Sequence, residues 1–459
     1  MKEYLDVLRA RSLLTTVKED LSPDLEAASV LIEREDRPIL FEKVEGCSLR
    51  VAGNLYSTRD LLGVALGTSA ECALSMIENA VKNPSNSRGT VVGFNGSDWD
   101  HNESADLAKL PILKYFEKDA GRYITGGIIA AKFHGSEAEN LSFHRMLVLG
   151  RDKVAARIVP RHLNQILKES PDGRVRVSVI LGPPPSVFIA ASLQGQYGAS
   201  EYAIANKISD GNLKLVTSEL SEIAVPSVSE IVLEGWLDAK ELAQEGPFVD
   251  LTATYDEIRS QPTIKFDRMH YRKDSVYQAV VGSSMEHSLF MGIPQELKIR
   301  DVLSKSIPRI RGVNLTSASN GYFHCVVSIE KGNDGDGKTA IVNCFAASHP
   351  LKLVIAVDSD VDPFDLAQVE WALATRFQAD RGILMINGAK GSSLDPSSGK
   401  LALTSKLGLD ATLPVNANRE KFSRAKVMLS ERASSIIRQI DIQTSRGTNI
   451  RKSSPHVES

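Results

Sequence analysis

Cysteine is scarce in this chain. The four, Cys47, Cys72, Cys325 and Cys344, are widely spaced in 459 residues and form no CxxC pair. Neither a disulfide framework nor a structural zinc site is indicated, and isolated buried thiols are the plain reading. Net charge is scarce as well, since 54 Lys and Arg against 57 Asp and Glu leave −3 at pH 7, with no long basic run. A nucleic-acid groove therefore has no electrostatic footing, and an acidic ligand has to be caught by local cations. No uninterrupted apolar stretch is long enough to cross a bilayer, and Met1 to Leu5 lacks a signal-peptide pattern. A cytoplasmic protein without a membrane partner is expected.

What is present belongs to an ordinary folded chain, 42% apolar and 24% charged, with a length that suits two or three domains better than one. The first segment, to about Lys82, mixes helical runs with a strand-like Arg37–Phe41, and residues 83–89 read as a loop. Strands are expected at Val175–Leu181, closed by Gly182 and three prolines, and at Glu230–Glu234, closed by Gly235. Ser200 is placed to cap a helix starting at Glu201. From Asp301 strands and helices alternate, which points to a parallel sheet. There, Val354–Val357 is a short buried strand, and Asp362-Pro363 reads as the N-cap and first residue of a helix through Arg376. Residues 331–338 lack the full ligand spacing of a calcium loop and are expected to be an exposed hairpin loop. A helical stretch over 425–442 and a polar tail from 446 close the chain.

Two short segments about a hundred residues apart, Asn140-Leu-Ser-Phe-His-Arg145 and Glu245-Gly-Pro-Phe-Val-Asp250, concentrate a fixed cation, two carboxylates and an amide that can ligate metal. Taken alone, the first also suits a satisfied loop or strand edge, and the second a turn whose charges face water. Composition does not bring the two together.

With these segments stand Arg157-Ile-Val-Pro-Arg-His162, Glu201-Tyr202, Val225-Pro226, Ser229 to Gly235, Val369 to Arg376, Gly391 to Pro396 and Ser405 to Thr412. In this order they resemble the motifs of the UbiD-like decarboxylases over nearly the whole chain. The resemblance implies an α/β and α+β multidomain protein. An N-terminal α/β segment (1–105) would precede a split β-barrel domain binding prenylated flavin mononucleotide (106–300), a C-terminal α/β oligomerisation domain (301–445) and a flexible tail (446–459). It also implies a divalent metal, manganese or magnesium, with potassium possible, a homodimer or homohexamer, and a flavin prenyltransferase as supplier of the cofactor.

Matched residue by residue, the resemblance implies that Asn140, His162 and Glu201 hold the metal and that Phe143, His144, Arg145, Arg157, Ile158, Val159, His162, Glu201 and Lys406 contact the flavin. An amide oxygen, a carboxylate and one imidazole suit a hard cation, and a guanidinium fork suits phosphate. Local packing of His162 and a solvated salt bridge at Lys406 are the plain alternatives. The catalytic set implied is Arg145, Glu245 and Asp250. Glu245 pairs with Arg145, while Asp250, where many members of the family have Glu, returns a proton to the carbon that has lost carbon dioxide. Asp250 then has to hold a proton at that moment, which burial beside the flavin or a nearby carboxylate favours.

The substrate expected first is an aromatic, heteroaromatic or α,β-unsaturated carboxylic acid, decarboxylated reversibly and without oxidation. The alternative is a phosphorylated branched unsaturated acid of isoprenoid synthesis. An FMN-dependent reductase, or a noncatalytic assembly protein that keeps the fold, are the rival classes, and neither requires the set Arg145, Glu245 and Asp250. The pocket wall is expected near Gly321–His324 and residues 414–417.

Overall fold

Two strands, Ile231–Glu245 and Arg259–Tyr271, run antiparallel through the middle of the molecule and carry its largest sheet. The computed structural model describes residues 1–193, 195–399, 401–425, 428, 430–437 and 440. In the nine-stranded sheet the order is Tyr123–Ile124, Met146–Val148, Lys153–Ala156, Arg259–Tyr271, Ile231–Glu245, Arg174–Leu181, Ile128–Lys132 and Glu139–Phe143, with His101–Ser104 paired to Arg259–Tyr271. Glu139–Phe143 is an edge of this path and Met146–Val148 lies next to the other edge, yet only His144 and Arg145 separate them in sequence. The sheet must therefore curl until its two sides meet, and those two residues sit at the seam. This is the half-barrel expected of a flavin-binding domain.

The long strand corrects one sequence expectation. Gly235 does not close a strand at Glu234 but lies inside one that continues to Glu245, at a register shift. A Cβ there would collide with the Lys265 carbonyl, so the glycine permits close strand approach where it was taken as a stop.

An N-terminal four-stranded sheet joins Thr15–Leu21, Ile39–Val44, Arg50–Gly53 and, from far downstream, Val276–Ala279. The downstream strand runs parallel to Arg50–Gly53 and ties the N-terminal segment to the barrel. The C-terminal sheet is ordered Arg309–Leu315, His324–Glu330, Leu353–Asp358, Leu403–Asp410, Ile383–Lys390, parallel through its centre and antiparallel at both edges.

Two further expectations shift here. Residues 331–338 lead into the helix Asp336–Ala347 rather than turning a hairpin, with Asp336 accepting the Gly332 and Asn333 N–H groups. The helix expected from Pro363 spans Leu366–Arg376 instead. Asp365 is its cap, accepting from Ala367 and Gln368, while Asp362 accepts from Phe364 in the preceding turn.

Residues 1–415 form one unit, and 416–459 a second. In the second, Arg419–Phe422 is a short 3-10 turn capped by Asn418, and 431–437 is helical. The rest of the helix expected over 425–442 is described only at residue 440, which is helical, and 446–459 lie outside the described residues. Among the described residues no single helix is long and apolar enough to cross a membrane.

Candidate active site

The seam of the half-barrel places Arg145 beside the end of the long strand. Glu245 is that strand's last residue, and its ladder partner across the sheet is Arg259. Between them the chain makes Gly246-Pro247, joined by a cis peptide bond, and then a short hairpin in which Phe248–Val249 pairs with Tyr255–Asp256. Asp250 lies in the hairpin's turn. The two segments singled out in the sequence therefore meet.

Arg145 Nε and Nη2 donate to the two oxygens of Glu245 at 2.9 and 3.0 Å, a bidentate pair. Nη2 donates also to Asp256 Oδ2 at 2.8 Å, and Nη1 donates to Asp250 Oδ2. The guanidinium lies over the Phe248 ring, 4.9 Å from its centroid. The side chains are sequestered: Arg145 is 8% exposed, Glu245 0%, Asp256 9% and Asp250 21%. Burial, the largest influence on Arg145, opposes its charge, but Glu245, Asp250 and Asp256 outweigh it and hold the proton more tightly than usual. Burial also opposes the charge of Asp256, yet hydrogen bonds from Arg259 and Arg145 keep its carboxyl below the usual range. Of the surroundings expected for Asp250, burial beside the flavin or a nearby carboxylate, the second is present, since Asp250 shares Arg145 with Glu245 and Asp256.

Asp256 and Arg259 escaped the sequence reading. The signal for them was present only as register, because two strands joined through a hairpin bring Asp256 back over Phe248 and Arg259 opposite Glu245. His287 was missed too. It sits in the first turn of the helix Met285–Leu303, where its Nδ1 accepts the Ser283 N–H at 3.1 Å. Burial first, and then Arg145, depress its proton affinity, while Asp250 acts the other way. Leu251, next to Asp250, packs with Tyr322 and Phe323, whose rings meet edge to face at 5.3 Å.

The residues matched to the flavin fall into two groups. Phe143, at the end of its strand, packs on Phe188 with ring centroids 4.7 Å apart. His144 is buried, with Nδ1 2.9 Å from the Arg157 carbonyl and Nε2 3.0 Å from Ser142 Oγ, and burial pushes its pKa down to about 4, so the ring is neutral. The Arg157 N–H donates to the Arg145 carbonyl and the Ile158 N–H to Gln261 Oε1, both at 3.0 Å, while Val159 accepts the Arg161 N–H at 2.7 Å. These contacts draw 143–145 and 157–159 into one patch. Lys406 stands apart in the C-terminal sheet, where Nζ donates to the His349 and Leu351 carbonyls at 2.7 Å and burial lowers its pKa.

Glu201 opens the helix Glu201–Ile208 under a Ser200 cap, as its sequence suggests. Its buried carboxylate accepts the Leu141 N–H at 2.8 Å and the Asn140 amide at 3.3 and 3.4 Å. Desolvation raises its pKa to about 7, and among the described residues no cation pairs with it. His162, the first residue of the helix His162–Glu169, packs against Phe133 and Tyr197 with centroids at 6.4 and 5.5 Å. Among the described residues no hydrogen bond joins it to Asn140 or Glu201, and no three His, Cys, Asp or Glu side chains cluster as a metal site. The structure thus brings together two of the three residues matched to the metal.

Both unbalanced charges suit what the resemblance implies. A buried carboxylate without a cation suits a divalent ion, with Asn140 offering its amide oxygen after a flip. Arg157 is half-buried, its charge opposed by burial and then by Arg259 and Arg145, with no ion-pair partner among the described residues. It suits a phosphate.

Three family models match the sequence in order: the 3-octaprenyl-4-hydroxybenzoate carboxy-lyase N-terminal domain at residues 5–81, its Rift-related domain at 94–284 and its C-terminal domain at 288–411. The anhydromevalonate phosphate decarboxylase of Methanothermobacter thermautotrophicus is 37% identical over 426 residues, covering 92% of this chain and 99% of that protein. That of Archaeoglobus fulgidus is 40% identical over 392 residues, covering 85% and 88%. Among solved structures, the UbiD-class enzyme HmfF from Pelotomaculum thermopropionicum, in complex with FMN, superposes with a TM-score of 0.89 at 32% identity, covering 93% of this chain and 97% of that one. An evolved dimeric form of HmfF, in complex with prFMN, has a TM-score of 0.85 at 29% identity and covers 93% and 96%.

Proposed function

The chain belongs to the UbiD carboxy-lyase family, whose members are decarboxylases, and from that premise we propose that it removes carbon dioxide from a phosphorylated, branched, unsaturated acid of the anhydromevalonate phosphate class. The observation that carries the choice of acid is its relatedness, along almost its full length, to curated decarboxylases of that substrate. Identity of 35 to 40% to these decarboxylases, rather than the motifs, favours this acid over the aromatic acids expected first.

The cofactor proposed is prenylated FMN, with manganese or magnesium, and potassium possible. When bound, it supplies the sink for the electron pair left by the departing carboxylate. Arg157 and the 143–145 turn would hold it, and Asn140 and Glu201, with His162, would hold the metal. Lys406 is a further contact to the flavin in this proposal.

The chain's own groups divide the remaining work. Arg145 binds the substrate carboxylate, and Glu245, which grips two of its nitrogens, keeps the fork from turning. Asp250 has the most exposed carboxylate of the three on Arg145 and sits on a turn, so it can exchange its hold on Nη1 for a proton and deliver that proton to the carbon that has lost carbon dioxide. Phe248 covers the guanidinium face and excludes water from it. A homodimer or homohexamer, supplied with cofactor by a flavin prenyltransferase, completes the proposal.

Anaerobic reconstitution with prenylated FMN and manganese, followed by a panel of acids assayed for carbon dioxide release, tests it. Turnover of anhydromevalonate phosphate with furan, pyrrole and phenolic acids left intact is expected. Turnover of the aromatic acids alone would overturn the choice of substrate, and consumption of NADH by bound FMN without carbon dioxide release would make the protein a reductase.

A further inference from the structure

Arg145 offers five N–H donors. Glu245 takes one on Nε and one on Nη2, Asp256 takes the other on Nη2, and Asp250 takes one on Nη1. The remaining donor lies on Nη1, the nitrogen that Asp250 already meets. Both nitrogens of the Nε–Nη2 edge are thus committed to acids that are buried, and Nη1 is left facing the more exposed one.

We propose that Asp256 is a positioning residue for the decarboxylation: it fixes the Nη2 corner of Arg145, so that Nη1 alone is presented to the substrate carboxylate. This inference rests on the role given to Arg145 above. Asp256 is built for the task because it bridges two guanidinium groups. Its Oδ2 accepts from Arg145, while its Oδ1 accepts from Arg259 and from the Glu257 N–H at 2.9 Å. Arg259 is itself the ladder partner of Glu245, so the carboxylate is anchored from the same strand pair that carries the hairpin of Asp250.

The bridge also settles the charge of the site. Within the cluster, the guanidinium groups of Arg145 and Arg259 face the carboxylates of Glu245 and Asp256. An incoming carboxylate then competes with Asp250 for Nη1 and with no other group, and Arg145 does not have to break its remaining bonds to receive it. Without Asp256, the second Nη2 hydrogen would be free to seek the substrate, and the fork could engage it in two orientations.

Asparagine cannot reproduce the bridge, since one of its two positions is an NH2 that would face a guanidinium. In the reconstituted holoenzyme, with anhydromevalonate phosphate as the probe acid, D256N is expected to raise KM about tenfold with a smaller change in kcat. Flavin content per chain and melting temperature should stay at wild-type values, and D256E should recover part of the loss. A crystal structure of D256N, which needs no substrate, should show the Arg145 guanidinium rotated or in two orientations. Arg145 unmoved in that structure, or a loss of activity that follows loss of flavin, would overturn the inference. E245Q serves as the control: wild-type turnover in E245Q would refute the role of Arg145 itself, a failure distinct from an unaltered D256N.

Discussion

Replacing Glu245 by Gln tests the core of the site, and the structure sets the size of the effect. Glu245 is fully buried and accepts two charge-assisted bonds from Arg145 at 2.9 and 3.0 Å. Gln keeps one acceptor and turns an NH2 toward the second guanidinium nitrogen, so one bond is lost and a donor faces a donor. Removing one side of a buried, paired charge costs about 3 to 5 kcal/mol. Asp250 and Asp256 remain on Arg145, which favours the lower end of that range and keeps the fold intact. If the guanidinium must keep its orientation as the carboxylate departs, about 3 kcal/mol on the barrier slows kcat by roughly 100-fold or more. Flavin retention should be normal, because among the described residues no hydrogen bond joins Glu245 to Arg157, Asn140 or Glu201, and the 143–145 turn keeps its backbone bond to Arg157. The assay is carbon dioxide release at saturating substrate with flavin occupancy read from the absorption spectrum of the same sample. A kcat within about fivefold of wild type at full occupancy would refute the reasoning, because it would mean that Arg145 does not need this partner.

Other outcomes follow from the same structure. Asp250→Asn should leave substrate binding in place but suppress turnover, and deuterium from the solvent should enter the product more slowly; unaltered incorporation counts against Asp250 as the proton source. Glu201→Ala should strip manganese and flavin together, which metal analysis and absorption spectra would report, and full occupancy would refute the anchoring role. Glu234 is buried, yet its hydrogen bonds with His270 and with the Ser221 and Leu220 N–H groups outweigh desolvation and bring its pKa down to about 2. Its contribution, on the order of 3 kcal/mol, is complete above the ordinary glutamate range and is lost as pH falls through about 2. Glu234→Gln should therefore unfold at lower urea than wild type at pH 7, by a margin that narrows toward pH 3. Glu286 behaves in the opposite sense, since desolvation pushes its pKa up to about 8, so the folded form retains a proton that the unfolded chain releases. Stability should decline by up to about 1.4 kcal/mol per pH unit between roughly pH 4.5 and pH 8, and Glu286→Gln should flatten that slope.

The parts of the site that were legible in the sequence are those carried by short segments. Arg145 with Glu245, Ser200 as the cap before Glu201, and the paired patch 143–145 and 157–159 needed only local order and a family pattern. Asp256, Arg259 and His287 were not legible, because each reaches the site through strand register or helix docking, which no short window contains. The elements show the same division. Val175–Leu181 lies within the strand Arg174–Leu181, whereas Gly235 was taken for a stop because a missing side chain looks alike whether it frees the backbone or lets another strand approach. The helix was expected to start at Asp362, but it starts after Asp365, the residue whose carboxylate reaches two free N–H groups.

The hairpin that returns Asp256 to Arg145 has a consequence for how the protein is made. The two residues are 111 positions apart, so a ribosome adding about 5 to 20 residues per second delivers the acid roughly 5 to 20 s after the base. Until Glu245 is made, 100 positions after Arg145, the nascent half-barrel has an arginine at its open seam with none of its three carboxylates yet synthesised. Water must solvate that charge, and the seam cannot dry. Once Arg259 has emerged, Glu245, Asp250 and Asp256 are all available on one short piece of chain, and the seam can be sealed in a single event. The hairpin that carries all three acids therefore reaches the seam late, well after the arginine that it neutralises.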